Sequence, residues 1–170
     1  MVRGLDPATT QGPLVTAAAV AKVNEHTRDA IAKGGVLKAG GKAPPGLKGF
    51  FFEPTVITNA TTDMLVANDE TFGPSAALFS FKSEEESIKL ANNTEFGLAG
   101  YFLLQQHCSR DESCAGLELR VIGVNTGLIS AAEMPFEGLN ESGVGREGSK
   151  YGMAEYQNIK AVTIGNNQRR

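Results

Sequence analysis

Few residues of this chain have the types and spacing that metal binding or nucleophilic catalysis requires. The histidines His26 and His107 and the cysteines Cys108 and Cys114 form neither a CxxC pair nor a zinc spacing. No Ser/His/Asp arrangement is visible. The acidic run at 84–86 is better explained by the positive end of a helix dipole than by paired catalytic carboxylates. We therefore predict no metal site and no catalytic residue from these side chains.

The glycine-rich stretch at 142–148, Ser-Gly-Val-Gly-Arg-Glu-Gly, could suggest a phosphate-binding loop. Such a loop needs a strand before it and a helix N-terminus behind it. No good strand precedes this stretch. We interpret it as a tight loop that leads into a helix.

Several longer motifs are more specific, because they occur together in a fixed order. They are Thr-Gln-Gly-Pro-Leu (10–14), Phe-Glu-Pro-Thr (52–55), Glu-Thr-Phe-Gly-Pro (70–74), Asn-Thr-Gly-Leu-Ile-Ser (125–130), Pro-Phe-Glu-Gly (135–138) and Ser-Gly-Val-Gly-Arg-Glu-Gly-Ser-Lys-Tyr-Gly (142–152). In this order they resemble the NAD(P)-dependent aldehyde dehydrogenases. The stretches at 125–130 and 148–152 look like the succinate-semialdehyde branch. The resemblance covers nearly the whole chain and corresponds to the C-terminal third of a family enzyme.

The resemblance implies binding roles for four residues. Glu70 would accept hydrogen bonds from the nicotinamide-ribose hydroxyls, since a carboxylate offers two acceptor oxygens. Phe72 would pack near the nicotinamide. Ser130 would help to hold the substrate carboxylate, and Phe136 would line the aldehyde channel. Without the resemblance, Glu70 would be a surface acid, Phe72 a core residue, Ser130 a loop serine and Phe136 a packing residue.

The family's catalytic residues do not match any position here. Its cysteine nucleophile lies in a Gly-Gln-x-Cys context, and its general-base glutamate and cofactor-binding Rossmann domain precede the matching region. We therefore expect the isolated chain to be a fragment of a succinate-semialdehyde dehydrogenase, inactive alone. The alternative is a non-enzymatic assembly module, or one half of a split enzyme that a complementary N-terminal chain completes.

The parent family uses NAD or NADP, and we expect this chain alone to bind neither. Glu70 and Phe72 would contact only the nicotinamide end of the cofactor. Two hydrogen bonds to ribose contribute about 1–3 kcal/mol. Immobilising a dinucleotide costs about 4–15 kcal/mol.

Three residues depart from the family pattern. Glu137 stands where the family loop usually has glycine, Asn140 where it commonly has lysine, and Arg120 where glycine usually precedes the strand at Val121. Glu137 would strain the loop if that position needs a positive φ.

The elements that must position these residues follow an α/β pattern. Periodicity predicts a helix over 14–33, with Val20, Val23, Thr27, Ala30 and Ile31 on one face. Strands are predicted at 36–38, 50–52, 55–57, 75–81, 97–104 and 121–124, and helices after Ser83, at 107–117 and at 146–156. Alternating strands and helices predict a largely parallel sheet, and the resemblance implies that this sheet is part of a catalytic domain.

The C-terminal end is predicted to be a strand, and the resemblance to the family implies that this strand serves oligomerisation. Residues 159–164 are apolar on both faces, so a strand there needs either this domain's own sheet or a partner chain as cover. We divide the chain into a partial catalytic domain without its nucleophile segment (1–155), an oligomerisation strand (156–165) and a frayed tail (166–170), and we expect no Rossmann domain. Self-association through the strand is the expected partner interaction.

Composition excludes several other partners. The net charge is −3 and the pI is near 5.4, which gives no basic surface for nucleic acid. No apolar run approaches the roughly 20 residues that span a membrane. The N-terminus lacks the apolar segment of a secretory signal. We expect a cytoplasmic protein.

Overall fold

The computed structural model describes Pro7, residues 9–104 and residues 114–165. The chain divides into two compact units, Met1–Lys82 and Ser83–Arg170. The predicted division at residue 155 concerns function and stays a prediction.

The first unit combines one long helix with a three-stranded mixed sheet. β1 pairs antiparallel with β2, and β2 pairs parallel with β3. A short second helix precedes β3. The elements are α1 (Ala17–Ala32), β1 (Val36–Ala39), β2 (Thr55–Thr58), α2 (Leu65–Asn68) and β3 (Ser75–Ala77).

Helix α1 confirms the predicted amphipathic helix. Thr16 caps it, since its hydroxyl accepts a hydrogen bond from the Ala19 amide at 3.1 Å. Lys33 ends it just before Gly34, whose φ is 96°. Its buried residues are Val23, His26, Thr27 and Ala30, whereas Ile31 is 44% exposed. A histidine thus lies on the buried face in place of the predicted isoleucine.

The core of the first unit lies where α1 packs against the sheet. Ala30, Ile57, Ala60 and Met64 form a buried cluster. Partly buried hydrophobic residues extend it on β3 and beyond, among them Ala77 and Phe79. Removing this apolar surface from water stabilises the unit.

The second unit contains short elements and little buried apolar surface. α3 begins after Ser83, which accepts a hydrogen bond from the Glu86 amide as predicted, and no residue of α3 is buried. β4 and β5 pair in parallel, and β6 and β7 pair antiparallel. The elements are α3 (Glu84–Ala91), β4 (Ala99–Phe102), β5 (Val121–Val124), β6 (Phe136–Glu137), β7 (Arg146–Glu147) and a 3-10 helix (Gly152–Tyr156).

The predicted parallel sheet is confirmed only in part, since β2 pairs in parallel with β3 and β4 with β5, but the pairs do not belong to one sheet. The described strands form three small sheets, of which one is mixed and one is antiparallel. β1 and β2 run antiparallel because no helix crosses between them, and an antiparallel pair needs no crossover. Residues 50–52 form no strand, and the strand predicted at 75–81 ends at Ala77.

The predicted helix at 146–156 is also wrong. Its first residues, Arg146 and Glu147, form β7, and only Gly152–Tyr156 is helical, as a 3-10 helix. Gly148 and Ser149 have φ values of 66° and 50°, so the backbone is left-handed between the two elements. A right-handed helix cannot continue through such residues.

The C-terminal strand predicted at 159–164 is not formed within the described part of the chain. The side chains of Tyr156, Ile159, Val162 and Ile164 are 72–99% exposed. A strand requires a hydrogen-bonding neighbour, and no described residue supplies one here. Among the strands that the structure describes, none covers this segment.

Two further predictions lie partly or wholly outside the described residues. These are the helix at 107–117, of which residues 114–116 are described and helical, and the frayed tail at 166–170. No helix among the described residues is long and apolar enough to cross a membrane.

Candidate functional site

Glu70 and Phe72 lie on the segment that joins α2 to β3. Both side chains point into solvent, and Phe72 is 77% exposed. Phe72 is therefore not a core residue, which removes the alternative interpretation of this position. The Glu70 carboxylate has no ion pair or hydrogen bond among the described residues, so both of its oxygens are available to a ligand.

The residues that alternate with Glu70 and Phe72 are held by α1. Asp69 forms an ion pair with Lys22, in which Nζ lies 2.8 Å from Oδ1. The second carboxylate oxygen of Asp69 lies 3.4 Å from His26 Nε2. On the other side of the same ring, His26 Nδ1 lies 2.6 Å from Thr71 Oγ1. The segment is thus tied to the helix at two positions.

The charge on Asp69 decides the direction of these hydrogen bonds. The hydrogen bond from Lys22 lowers the pKa of Asp69 below its ordinary value, and the charge of Lys22 acts in the same direction. An ionised carboxylate only accepts hydrogen bonds, so His26 Nε2 donates to it. In the neutral imidazole, Nδ1 then accepts the hydrogen bond from the Thr71 hydroxyl.

The chemistry of this segment fits the nicotinamide end of a dinucleotide. Glu70 presents a free carboxylate with two acceptor oxygens, which suits two vicinal ribose hydroxyls. Phe72 presents an exposed aromatic ring two residues farther along the chain. The roles implied for both residues stay predictions, and the geometry is compatible with them.

Ser130 lies in the loop that follows β5. Its side chain is exposed. The loop begins at Asn125, whose φ is 54° and whose side-chain amide pairs with the backbone N–H and C=O of Leu104 at 2.8 and 3.0 Å. That pair holds the start of the loop against the end of β4.

Phe136 lies on β6 and is 42% exposed. It lines an open cavity of about 330 Å³ in the second unit, together with Glu137, Gly138 and Arg146. Ser130 and Phe136 belong to different loops of this unit, whereas Glu70 and Phe72 share one segment of the first. Their substrate roles stay predictions.

Glu137 does not strain the Pro-Phe-Glu-Gly loop. It lies in the extended strand β6 and is absent from the described residues with positive φ. Its carboxylate accepts a hydrogen bond from Arg146 Nε at 2.7 Å, and Arg120 Nη2 lies 3.9 Å away. Two departures from the family pattern, Glu137 and Arg120, therefore face each other.

Glycine is needed one position later in this loop. A Cβ on Gly138 would lie 2.6 Å from the backbone of Ser142, closer than real side chains approach. Asn140 takes a left-handed conformation with φ 53°, which asparagine tolerates better than most residues.

Four residues of this site were not predicted from the sequence: Lys22, His26, Asp69 and Thr71. The available signal was a histidine among apolar residues at helical spacing in α1. That signal is weak because a buried histidine is more often structural. Among the described residues, no group of three or more His, Cys, Asp and Glu side chains could hold a metal ion.

Comparison with known proteins gives consistent matches. The family model described as the aldehyde dehydrogenase family matches residues 1–162. The chain is 47% identical over 161 residues to succinate-semialdehyde dehydrogenase [NADP(+)] 1 of Schizosaccharomyces pombe. The alignment covers 95% of this chain and 32% of the relative. It is 49% identical over 162 residues to glutarate-semialdehyde dehydrogenase of Pseudomonas aeruginosa. This alignment covers 95% of this chain and 33% of the relative.

A solved structure matches the fold as well. The crystal structure of succinate-semialdehyde dehydrogenase from Burkholderia pseudomallei superposes with a TM-score of 0.88 at 50% identity, over 92% of this chain and 32% of that one. The chain thus spans about a third of the length of the relatives that it matches.

Proposed function

Because this chain belongs to the aldehyde dehydrogenase family, we propose that its 170 residues act as the C-terminal part of a semialdehyde dehydrogenase that oxidises succinate or glutarate semialdehyde. The observation that carries this proposal is the 47–49% identity to succinate- and glutarate-semialdehyde dehydrogenases over 95% of the chain. Both named substrates are short aldehydes that end in a carboxylate. The proposal therefore concerns this substrate class and not one member of it.

In this proposal the first unit serves the cofactor. Bound nicotinamide would accept the hydride that leaves the aldehyde carbon. Glu70 would accept the two ribose hydrogen bonds, and the exposed ring of Phe72 would restrict where the nicotinamide lies. The hydrogen bonds orient the sugar, because a carboxylate accepts from both hydroxyls only in a narrow range of positions.

The second unit would serve the substrate. The exposed hydroxyl of Ser130 can donate a hydrogen bond to the distal carboxylate of the semialdehyde. Phe136 would supply an apolar wall along the carbon chain. A hydroxyl alone binds a carboxylate weakly, so we expect cationic groups outside these 170 residues to complete this part of the site.

A complementation experiment tests the proposal. The chain is co-expressed with the Schizosaccharomyces pombe relative from which the matching third has been deleted, and NADP reduction is followed with succinate and glutarate semialdehyde. We expect neither chain alone to turn over substrate, and we expect the mixture to do so. Turnover by the 170 residues alone, or no turnover by a mixture that forms a stable complex, would contradict the proposal.

Matched variants separate the two roles in that assay. Glu70→Gln keeps the size of the side chain and one acceptor oxygen, so we expect the KM for NADP to rise. Glu95→Gln makes the same change at an exposed position of the second unit and should leave both KM values unchanged. Ser130→Ala should raise the KM for the semialdehyde and leave that for NADP as it was.

A second candidate function, assembly, is favoured by the exposed C-terminal segment. Ile159, Val162 and Ile164 are 99%, 72% and 84% exposed, and exposed apolar segments of extended chain pair readily with a second chain. We propose that residues 156–164 form a strand when a partner chain pairs with them. Light scattering of the intact chain and of one truncated after Tyr156 tests this, and a monomer in both cases over a range of concentrations would refute it.

A further inference from the structure

One face of α1 holds the whole stretch from residue 63 to residue 73. At its C-terminal end, Lys33 Nζ donates to the Asp63 carbonyl at 2.6 Å. One turn earlier, the Asp29 carboxylate accepts from the Leu65 amide at 2.7 Å, at the first residue of α2. These two contacts fix the beginning of α2.

The same face continues towards the end of the stretch. Lys22 and His26 are spaced i and i+4, so they lie one above the other on the helix. Both reach Asp69, and His26 also reaches Thr71. Between them, Val23 packs so closely on Gly73 that a Cβ there would collide with its Cγ2 atom. Helix α1 thus contacts residues 69, 71 and 73 in turn.

Helix α1 contacts the residues on both sides of Glu70. Because it holds Asp69 and Thr71, it fixes the backbone before and after Glu70 and immediately before Phe72. The observed exposure of both Glu70 and Phe72 agrees with this arrangement.

We propose that His26, with Lys22, Asp69 and Thr71, is a positioning cluster that fixes the direction of Glu70 and Phe72. The proposal rests on the proposed function, in which these two residues contact the nicotinamide ribose. None of the four members needs to touch the cofactor. They hold the backbone in place, and the neighbouring side chains of Glu70 and Phe72 contact the cofactor.

His26 is the member on which the cluster depends. Its side chain is 3% exposed, so an unpaired ring nitrogen could not find water as a substitute. One ring nitrogen lies 3.4 Å from the Asp69 carboxylate and the other lies 2.6 Å from the Thr71 hydroxyl, and these two residues flank Glu70. A rigid ring with a polar atom on either side therefore fixes both neighbours of Glu70 at once.

Holding this segment matters because it has few backbone hydrogen bonds of its own. The amides of Asp69 and Gly73 are bonded to Leu65 and Thr71, and no backbone bond from the amides of Glu70 or Phe72 is found among the described residues. Without side-chain contacts, the segment would sample many directions. A ligand would then have to bear the cost of ordering it.

NMR relaxation of the 170-residue chain tests the proposal without any cofactor. In the wild type we expect rigid backbone order parameters, about 0.85, at the amides of Glu70 and Phe72. Thr71→Val removes the hydroxyl but keeps the shape, and should lower both order parameters towards about 0.6 or below. Thr71→Ser restores the hydroxyl and should restore the order.

Two further measurements separate positioning from general stability. Thr58→Val makes the same change on β2, where the hydroxyl bonds to Val36, and should leave residues 70 and 72 unchanged. The ring nitrogen shifts of His26 should show the proton on Nε2 in the wild type at neutral pH. The Nδ1 signal should move in Thr71→Val and return in Thr71→Ser, with the signals of Ile57 and Met64 unchanged throughout.

Several results would overturn the proposal. These are flexible Glu70 and Phe72 amides in the wild type, unchanged order in Thr71→Val, or a ring proton on Nδ1. Failure here would leave the complementation assay unaffected, since that assay detects turnover by the assembled chains. A failed complementation would not change the order parameters, which are measured on the 170-residue chain alone. The two proposals can therefore fail independently.

Discussion

The segment that carries Glu70 and Phe72 lies on a well-buried core, whereas the loops that carry Ser130 and Phe136 do not. Of the eight buried hydrophobic residues among those described, seven lie in the first unit and only Val121 lies in the second. The first unit can hold its candidate site with its own helix. We expect the second unit to depend more strongly on contacts with other parts of an assembled enzyme.

The largest effect that tests this comparison is expected from core truncation. Ile57→Ala removes a side chain with 0% exposure from β2 and should cost about 2–5 kcal/mol in the free energy of unfolding. Ile122→Ala on the half-buried position of β5 should cost less than about 2 kcal/mol, because less surface leaves water there. Urea denaturation followed by circular dichroism measures both, and equal losses would break the comparison.

A smaller effect is expected in the Pro-Phe-Glu-Gly loop. Gly138→Ala places a Cβ against the Ser142 backbone and should cost about 1–3 kcal/mol in the free energy of unfolding. Glu137→Gly needs no backbone change, since position 137 is extended, and should cost about 0.5–1 kcal/mol through chain entropy. The same denaturation experiment compares the two variants. A greater loss from Glu137→Gly would show that the ion pair with Arg146 dominates the loop.

Acid should loosen the first unit before the second. The hydrogen bond from the Leu65 amide lowers the pKa of Asp29, and the hydrogen bond and charge of Lys33 lower it further. Because the folded pKa lies below the ordinary value of 3.8, the stabilisation is present above that value and is lost as the pH falls through the folded pKa. Asp63 and Asp69 share this direction in the first unit, whereas Glu85 alone does so among the described residues of the second.

Thermal melts from neutral pH to below the ordinary aspartate pKa measure this effect. We expect the melting temperature of the wild type to fall at the acid end. In Asp29→Asn, whose amide oxygen can still accept from Leu65 but carries no charge, the fall should be smaller. An identical acid profile for both proteins would show that Asp29 contributes nothing to the pH dependence.

The smallest effect is expected for Arg120 and Glu137. Their nearest charged atoms are 3.9 Å apart, and the arginine is 45% exposed. Exposed pairs of this kind contribute about 0.2–1 kcal/mol. A double-mutant cycle with Arg120→Met and Glu137→Gln should give a coupling energy in that range that declines with added salt. A coupling above it would mean that the two departures from the family pattern support each other more strongly than their geometry indicates.

Local signals in the sequence predicted several elements correctly. Helical spacing of apolar residues predicted α1, although the helix begins at Ala17 and not at residue 14, and the cap at Ser83 predicted the start of α3. Short apolar runs predicted β1, β2 and β5 within a residue or two. These features depend on neighbouring residues along the chain, so the sequence alone contains the information.

Long-range pairing accounts for the errors. Arg146 and Glu147 have a sequence compatible with a helix, yet they pair with Phe136 and Glu137 as β7. The left-handed Ser149 then prevents a helix from continuing. Residues 159–164 have a strand-like sequence, but no described residue pairs with them. Propensity favours a strand, and only a hydrogen-bonding neighbour can complete one.

The sequence by itself determined the family of this protein and the order of its candidate site residues, because motif order is a property of the chain and family membership was confirmed by comparison. It also determined which residue types could meet a ribose or a carboxylate. The tertiary structure decided which side chains hold those residues in place. His26 lies 43 residues before Asp69 in the sequence, and only the packing of α1 brings its ring between Asp69 and Thr71.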